Sequence, residues 1–468
     1  MKSEDDTIAA IATPLGEGGI SVIRLSGKRA FDIADRVFRG ETPLKAAKSH
    51  TAHFGHILGL DGEPIDEVIS TVYRSPRSYT TEDSVEISCH GGVLVTRKVL
   101  ECVLQAGARL AEPGEFTKRA FLNGRLDLSQ AEAVADLIHS RSEASHRSSL
   151  QQLSGRLSER VRRIRDELID TASLLELELD FAEEGIELAS RGRISDRLNG
   201  ITSDLKDLAE SFGVGRFFRE GVKVVILGKP NVGKSSLLNA LLNENRAIVT
   251  DVPGTTRDTI EENITIDGVL FRLVDTAGLR EPANLVEKEG IQRARQQIDT
   301  ADLVLFVFDL SQHIDNYELI EVQNSRSSAE SFLRKCIVVL NKCDLVRNGQ
   351  TGSCASADLP GVSRIVKLSA LTHDGLDTLK RLLVEHVIGR RPAMDDSGVM
   401  VTNVRHQEAL RKTIDHLELA VKSLESGQSE EFVSVDLRNA LDFLGEIIGT
   451  VTSEDVLNNI FGKFCIGK

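Results

Sequence analysis

The chain has 468 residues, 41% of them apolar, and a formal charge of −14 with a pI near 5.4. That length exceeds one hydrophobic core and predicts about three domains, while the acidic balance excludes non-specific attraction to nucleic acid and leaves any RNA contact to a local basic patch. Tryptophan is absent, so the cores must be mainly aliphatic. The six cysteines (Cys89, Cys102, Cys336, Cys343, Cys354, Cys465) form no CxxC or zinc spacing, which predicts a reduced cytoplasmic protein.

The chain opens on Met1 to Asp6, polar and acidic and unlike a secretory signal. Alternating apolar runs then predict strands at Thr7 to Ala12 and Ile20 to Leu25, flanking the turn Pro14 to Gly19. A helix is expected over Lys28 to Phe38, and a hairpin joins His53–Leu60 to Glu67–Tyr73 across Asp61-Gly62. A further strand, Ser84 to Cys89, ends at His90-Gly91-Gly92 and leads into a helix from Val93 to Ala106. Residues 1–120 are therefore expected to form a compact α+β domain.

From Leu126 the apolar period becomes helical, through Leu137, Leu150, Leu153, Leu157, Val161 and Ile164 to a leucine-rich run at Leu168 to Leu179. The expected helical region covers 121–215. A nucleotide domain follows over 216–390, and helical periodicity returns in 391–468, at Val404 to Leu424 and Val435 to Ile448. Two arrangements are open: one helical domain into which the α/β domain is inserted, or two separate helical domains. Arg156, Arg160 and Arg163 share one helix face. That stripe suits either tRNA or plain solvent, because Glu143, Glu159 and Asp166 dilute its charge. No run of about 18 apolar residues exists to span a membrane.

The chemistry is concentrated in the middle of the chain. Gly228 to Ser235 reads GKPNVGKS and follows the apolar run Val222 to Leu227. Glycines there let the backbone N–H groups of Asn231, Val232, Gly233 and their neighbours curl towards phosphate oxygens, and the following helix adds its positive end. Lys234 would reach the β- and γ-phosphates, and Ser235, followed by Ser236, would place a hydroxyl on Mg²⁺. Gly254-Thr255-Thr256-Arg257-Asp258 would bring Thr256 to the same ion. Asp275-Thr276-Ala277-Gly278 follows a strand at Phe271 to Val274, where the carboxylate would hold the metal through water and the Gly278 N–H would sense a γ-phosphate. Asn341-Lys342-Cys343-Asp344 follows Cys336 to Leu340, and Asp344 would accept two hydrogen bonds from guanine, an edge that adenine lacks. Ser369-Ala370-Leu371 follows a fourth strand and offers the Ala370 N–H to guanine O6. Their order and spacing identify a guanine-nucleotide-binding domain using GTP and Mg²⁺.

The means of hydrolysis is less direct. The residue after DTAG is Leu279, which cannot orient water. Glu287, in a charged stretch where a second switch would lie, is the best local substitute; the same stretch also suits a solvated loop. Arg257 and Arg280 are near enough to bind phosphate. Asn231 and carbonyls of the loop before Gly254 are oxygen donors of the kind that suits K⁺.

Several segments outside the nucleotide domain are distinctive: Ala12-Thr13-Pro14, ISVIRLSG at Ile20 to Gly27, Ser78-Tyr79-Thr80, VEISCHGG at Val85 to Gly92, PGEFTKRA at Pro113 to Ala120, FLNGR at Phe121 to Arg125, LDLSQAEAVADLI at Leu126 to Ile138, and the tail Cys465-Ile466-Gly467-Lys468. With PNVGKS, GTTRD, DTAGLR and NKCD, the whole chain resembles the MnmE (TrmE) family of tRNA wobble-uridine modification GTPases. The resemblance implies a multidomain fold: an α+β N-terminal folate-binding-type domain, an all-α helical domain and an inserted Ras-like α/β P-loop GTPase domain.

It further implies a constitutive homodimer and a bound tetrahydrofolate derivative, 5-formyl- or 5,10-methylene-tetrahydrofolate, contacted by Arg24, Glu86, Arg125 and Lys468. From the residues alone, Arg24 and Glu86 could equally be a structural ion pair. K⁺ contacts would fall on Asn231, Thr250, Val252 and Thr255, within a nucleotide loop that also includes Asp251 and Pro253. Glu287 matches the family's water-orienting glutamate, and the G domains would pair transiently during hydrolysis. Cys465 would be needed in modification; without the resemblance it is a cysteine in a frayed tail. The implied reaction adds a (carboxymethyl)aminomethyl group to carbon 5 of the wobble uridine, with the flavoprotein MnmG as partner in a heterotetramer. No flavin or nicotinamide site is visible in this chain, consistent with electrons coming from such a partner. The alternative is a regulatory GTPase switch in ribosome assembly, although there is only one P-loop pattern and the helical, acidic region after Pro392 has no GXXG loop between basic elements.

Overall fold

The structure, a computed structural model, describes residues 6–181, 191–245, 261–275, 299–312, 333–346, 363–389, 399–426 and 428–468. By internal contacts it divides into two units. One comprises Met1–Ile138, Gln151–Thr202 and Ala409–Lys468; the other comprises His139–Leu150 and Ser203–Glu408.

In the first unit a seven-stranded sheet has the order β3-β4-β5-β6-β2-β1-β7. Its strands are β1 (Ile8–Ile11), β2 (Gly18–Ser26), β3 (Phe38–Gly40), β4 (Thr51–Leu58), β5 (Pro64–Tyr73), β6 (Ser84–Gly91) and β7 (Arg109–Leu110). Side chains alternate across a strand. Ile23, Leu25, Val72, Val85 and Ile87 therefore share a buried core with Phe31, Ile33, Val99 and Val103, from helices α1 (Ala30–Val37) and α2 (Val93–Gln105). The intervening residues Arg24 and Glu86 take the other face, where the antiparallel register of β2 and β6 sets them directly opposite each other.

The helical stretch after Leu126 is more broken than the sequence predicts, and its residues His139–Leu150 belong to the other unit. Leu128–His139, Glu143–Leu153 and Arg156–Phe181 are separate helices, and Gly155, at φ +87°, supplies the left-handed turn between the last two. Leu128, Ala131 and Val134 of the first helix pack with Phe461 and Phe464. The tail is accordingly not frayed, as the isolated reading of Cys465 expected: Phe464 and Gly467 are buried, while Cys465 itself is exposed.

A cluster of charges that the sequence did not announce ties the beginning of the chain to this unit. Arg109 Nε donates to Asp6 (2.7 Å) and its Nη2 to Glu115 (2.6 Å), while Arg119 Nη2 bonds both Asp6 (2.5 Å) and Glu115 (3.1 Å). Burial works against the Asp6 and Glu115 carboxylates, but hydrogen bonds to the arginines outweigh it and hold both below the usual range.

The second unit is an α/β layer. Its sheet has the order β13-β12-β11-β8-β10-β9, built from β8 (Val222–Leu227), β9 (Glu261–Ile266), β10 (Val269–Asp275), β11 (Leu303–Asp309), β12 (Cys336–Asn341) and β13 (Ile365–Lys367). All neighbours are parallel except β9 and β10. Strands covered on both faces are apolar almost throughout, as in LVLFVFD and CIVVLN. Strands β9 and β11 were not foreseen. Ligand-binding loops of such a sheet gather beyond the carboxyl ends of its parallel strands, and there the nucleotide motifs lie.

Candidate functional site

β8 delivers the chain into the phosphate loop. Gly228 leaves the strand at φ +143°, where a Cβ would overlap the Val307 carbonyl oxygen of β11. Asn231 (φ +65°) and Gly233 (φ +94°) complete the curl before the helix Lys234–Asn245. A side chain at Gly233 would collide with Asn341 Nδ2, so the loop is seated against the guanine-reading segment with no room between. Lys234 is buried, and its ammonium donates to the carbonyls of Gly228 (2.9 Å) and Lys229 (2.8 Å), inside the loop that phosphates are expected to enter. Ser235 and Ser236 are exposed in the first helical turn. A serine hydroxyl there and the Asn231 amide fit hard cations, which take oxygen ligands.

Asn341 ends β12 and is buried. Its Nδ2 donates to the Val232 carbonyl (2.8 Å) and its Oδ1 accepts from the Ala370 N–H (3.0 Å), joining the phosphate loop to the segment after β13. A guanine O6 placed at Ala370 would therefore share that N–H with Asn341. Lys342 holds φ +64°, and its ammonium donates to the Asn231 carbonyl (2.8 Å) and to Asp309 Oδ2 (2.7 Å). Asp344 follows on a short 3₁₀ turn, Cys343–Leu345, with its carboxylate exposed for the base. Buried Ser369 accepts from the N–H groups of Leu371 (3.3 Å) and Thr372 (3.2 Å), which fixes the last segment. Asp275 ends β10 opposite Ile226 of β8.

Thus Asn231, Val232, Gly233, Lys234, Asn341, Lys342 and Ala370 are joined by direct contacts, and Ser235, Ser236, Asp275, Asp344, Ser369 and Leu371 occupy adjoining turns and strand ends. Thr250, Asp251, Val252, Pro253, Gly254, Thr255, Thr256, Thr276, Ala277, Gly278 and Glu287 lie outside the described residues, as do Arg257, Leu279 and Arg280. Asp309 was missed. The apolar run before it carries strand signals but no nucleotide motif, and only the register of β11 beside β12 reveals its place.

A second constellation lies on the face of the N-terminal sheet opposite its main core, where Phe116 packs on Ile8 and Ala10. Arg24 bonds Glu86 through Nε (2.8 Å) and Nη2 (2.7 Å), so the ion pair considered from the residues alone is present. Tyr73 donates to the second Glu86 oxygen at 3.4 Å. The guanidinium groups of Arg24 and Arg125 lie 5.3 and 4.8 Å from the centre of the Tyr79 ring, and Arg125 also donates to the Tyr79 carbonyl (2.6 Å). The tail enters this group: Arg24 Nη1 donates to the Gly467 carbonyl (3.4 Å). Burial, with the Arg24 charge beside it, pushes the Lys468 amine below its ordinary value. Arg24, Glu86, Arg125 and Lys468 are therefore brought together around an aromatic ring, although more than 440 positions separate the first from the last. Three cations against one carboxylate fit an anionic ligand, and Tyr79 offers a π-face for a flat ring. Cys465 is exposed on the same tail.

Comparison with known proteins matches residues 7–125 to the GTP-binding protein TrmE N-terminus and residues 128–465 to the MnmE helical domain. Among curated relatives, the tRNA modification GTPase MnmE of Chlorobaculum tepidum is 46% identical over 98% of this chain and 97% of its own. The protein of that name from Moorella thermoacetica is 47% identical over 99% of this chain and 100% of its own. This chain belongs to the MnmE family. Its MnmE-type organisation, with an N-terminal TrmE domain, a helical domain and a P-loop GTPase domain, follows from those matches and from the sheets described above. Among solved structures, the G domain of the T. maritima FeoB iron transporter is 26% identical over 35% of this chain and 98% of that one, with a TM-score of 0.25. Among the described residues, no helix is long and apolar enough to cross a membrane.

Proposed function

We propose that this MnmE-family GTPase uses GTP hydrolysis to drive modification at carbon 5 of the wobble uridine of tRNA, together with the flavoprotein MnmG. The observation that carries the nucleotide half is the direct joining of the guanine-reading segment to the phosphate loop through Asn341 and Lys342. Asp344 selects guanine, Lys234 meets the phosphates, and Ser235 and Thr256 hold Mg²⁺. Asn231, Thr250, Val252 and Thr255 supply oxygens to K⁺, and Glu287 orients the attacking water. Bound Mg²⁺ and K⁺ supply positive charge against the triphosphate; the remaining work of positioning falls to these side chains.

The second constellation is the one-carbon site. Arg24, Arg125 and Lys468 pair with the carboxylates of a tetrahydrofolate derivative, Glu86 accepts from pterin N–H groups, and Cys465 stands beside them. Self-association of the N-terminal domain is supported by Phe54 and Ile69. They are exposed and directly opposite on β4 and β5, an apolar pair on a sheet face left open to solvent. The domain limits 1–120, 121–215, 216–390 and 391–468 are part of the same proposal. Nucleoside mass spectrometry of tRNA from a strain lacking this chain tests it: wobble uridines should lose their carbon-5 group and regain it on complementation. Unchanged uridines would overturn the modification reading.

A further inference from the structure

Asp309 lies at the end of β11, beside the nucleotide segments but in none of their motifs. It is 6% exposed. One carboxylate oxygen, Oδ1, accepts from the Ser311 N–H (3.0 Å) and hydroxyl (2.6 Å), forming a tight local turn. The other, Oδ2, accepts from the Lys342 ammonium at 2.7 Å, and that ammonium also donates to the Asn231 carbonyl at 2.8 Å. Burial works against the ionised carboxylate, but the Lys342 and Ser311 hydrogen bonds outweigh it and keep Asp309 charged.

We infer that Asp309 is a positioning residue for nucleotide binding, acting through Lys342 to lock the guanine-reading segment onto the phosphate loop. Two left-handed positions are held by this tie. Lys342 and Asn231 have φ of +64° and +65°; asparagine visits that region readily, whereas a lysine holds it at a cost that its surroundings must offset. Among the described residues, the ammonium touches both the Asp309 carboxylate and the Asn231 backbone. Its stem also runs beside Gly233, with Cε 4.0 Å from where a Cβ on that glycine would stand. Without the carboxylate, the ammonium loses its tie to β11 and keeps only the Asn231 carbonyl among the partners described above, so the phosphate loop loses a strap on its left-handed turn. The Asp309 carboxylate bonds Ser311 and Lys342, so the same strap should serve a nucleoside diphosphate and a triphosphate alike. It therefore sets how long any guanine nucleotide stays, and leaves chemistry and base choice to other residues.

The inference rests on guanine-nucleotide binding by this chain, so GDP binding by the unaltered chain is the control: its failure removes the site itself, not the strap. Asp309→Asn keeps the turn to Ser311 through Oδ1 and replaces the charged acceptor facing Lys342 with an NH₂ donor. Stopped-flow release of fluorescent GDP and of a non-hydrolysable GTP analogue should accelerate by about 10- to 100-fold, the scale of one charge-assisted hydrogen bond. KM for GTP should rise in parallel while kcat at saturation is retained. Adding Asp309→Asn to Lys342→Met should cost little beyond Lys342→Met alone, because the two groups act as one unit. Ser311→Ala, which loosens the turn but spares the ion pair, should leave release within about twofold. If Asp309→Asn does not fold, Lys342→Met with Ser311→Ala reads the same strap from its other end. Unchanged release in Asp309→Asn, additive losses in the double variant, or an equal loss in Ser311→Ala would each overturn the inference.

Discussion

Gly467 is the position where one methyl group should separate the proposed folate site from the rest of the protein. Its φ of +96° is left-handed, and a side chain there costs about 1–2 kcal/mol. An added Cβ would also overlap the Ile11 carbonyl oxygen and lie 3.0 Å from Ile11 C and 3.1 Å from Ala12 Cα, all backbone atoms of β1 and its exit that cannot rotate away. Overpacking of that kind costs roughly 1–3 kcal/mol more. Against a total of about 2–5 kcal/mol stand two long hydrogen bonds from the rest of the unit to this tail, Arg24 Nη1 to Gly467 O at 3.4 Å and Gly114 N to Cys465 O at 3.5 Å. Together they are worth no more than about 2 kcal/mol. Gly467→Ala should therefore lift residues 465–468 while buried Phe464 keeps the preceding helix docked. Calorimetric titration with 5-formyl-tetrahydrofolate should show affinity reduced by about tenfold or more. Hydrogen exchange at Lys468 should accelerate, and GTP affinity should not change. Wild-type folate affinity with unchanged exchange would refute the argument.

Asp344→Asn should lower guanine-nucleotide affinity by at least about 10²-fold, since two hydrogen bonds to a charged acceptor are disrupted; a change under about threefold in fluorescent-GDP titration would remove Asp344 from base recognition. Asp6 and Glu115 have folded values held below the ordinary carboxylate range, so their stabilisation is complete above about pH 4 and fades as pH falls through the lowered values. Asp6→Asn should lower Tm at pH 7 by roughly 2–4 °C and flatten the acid limb of a Tm–pH curve; an unchanged limb would show the network to be idle. Hydrolysis of GTP should run several-fold faster in K⁺ than in Na⁺ at equal ionic strength, and equal rates would cancel the role given to Asn231. Glu287→Ala should leave GTP binding intact and slow turnover by about 10²-fold, the usual loss for a general catalytic group, as followed by phosphate release; an unaffected rate would return Glu287 to the solvent.

What could be read in the sequence was local. GKPNVGKS and NKCD carry glycines and polar groups whose spacing alone fixes their chemistry, and the expected strands before them are present as β8 and β12. The alternation in ISVIRLSG and VEISCHGG put Arg24 and Glu86 on strands, but whether they met depended on register, which no single strand encodes. β11 escaped notice because an apolar run without a motif is compatible with a buried strand or a helix segment, and β9 because EENITI opens on three polar residues. With β11 went Asp309, whose partner is 33 positions away. The Asp6 cluster was equally hidden: its arginines come from β7, two residues long, and from the helix Glu115–Leu122, and no local pattern links them to residue 6. In the tail, the buried Phe464 and the left-handed Gly467 distinguish a docked segment from a loose one, and only tertiary contacts reveal either.

The hydrogen bond from Arg24 to Gly467 spans 443 positions. A ribosome that has made the whole N-terminal sheet has therefore made Arg24 without its tail partner, and must synthesise the entire nucleotide unit before supplying it. An excised N-terminal fragment, even when perfectly folded, lacks that contact, and its affinity for the proposed folate ligand should differ from that of the whole chain.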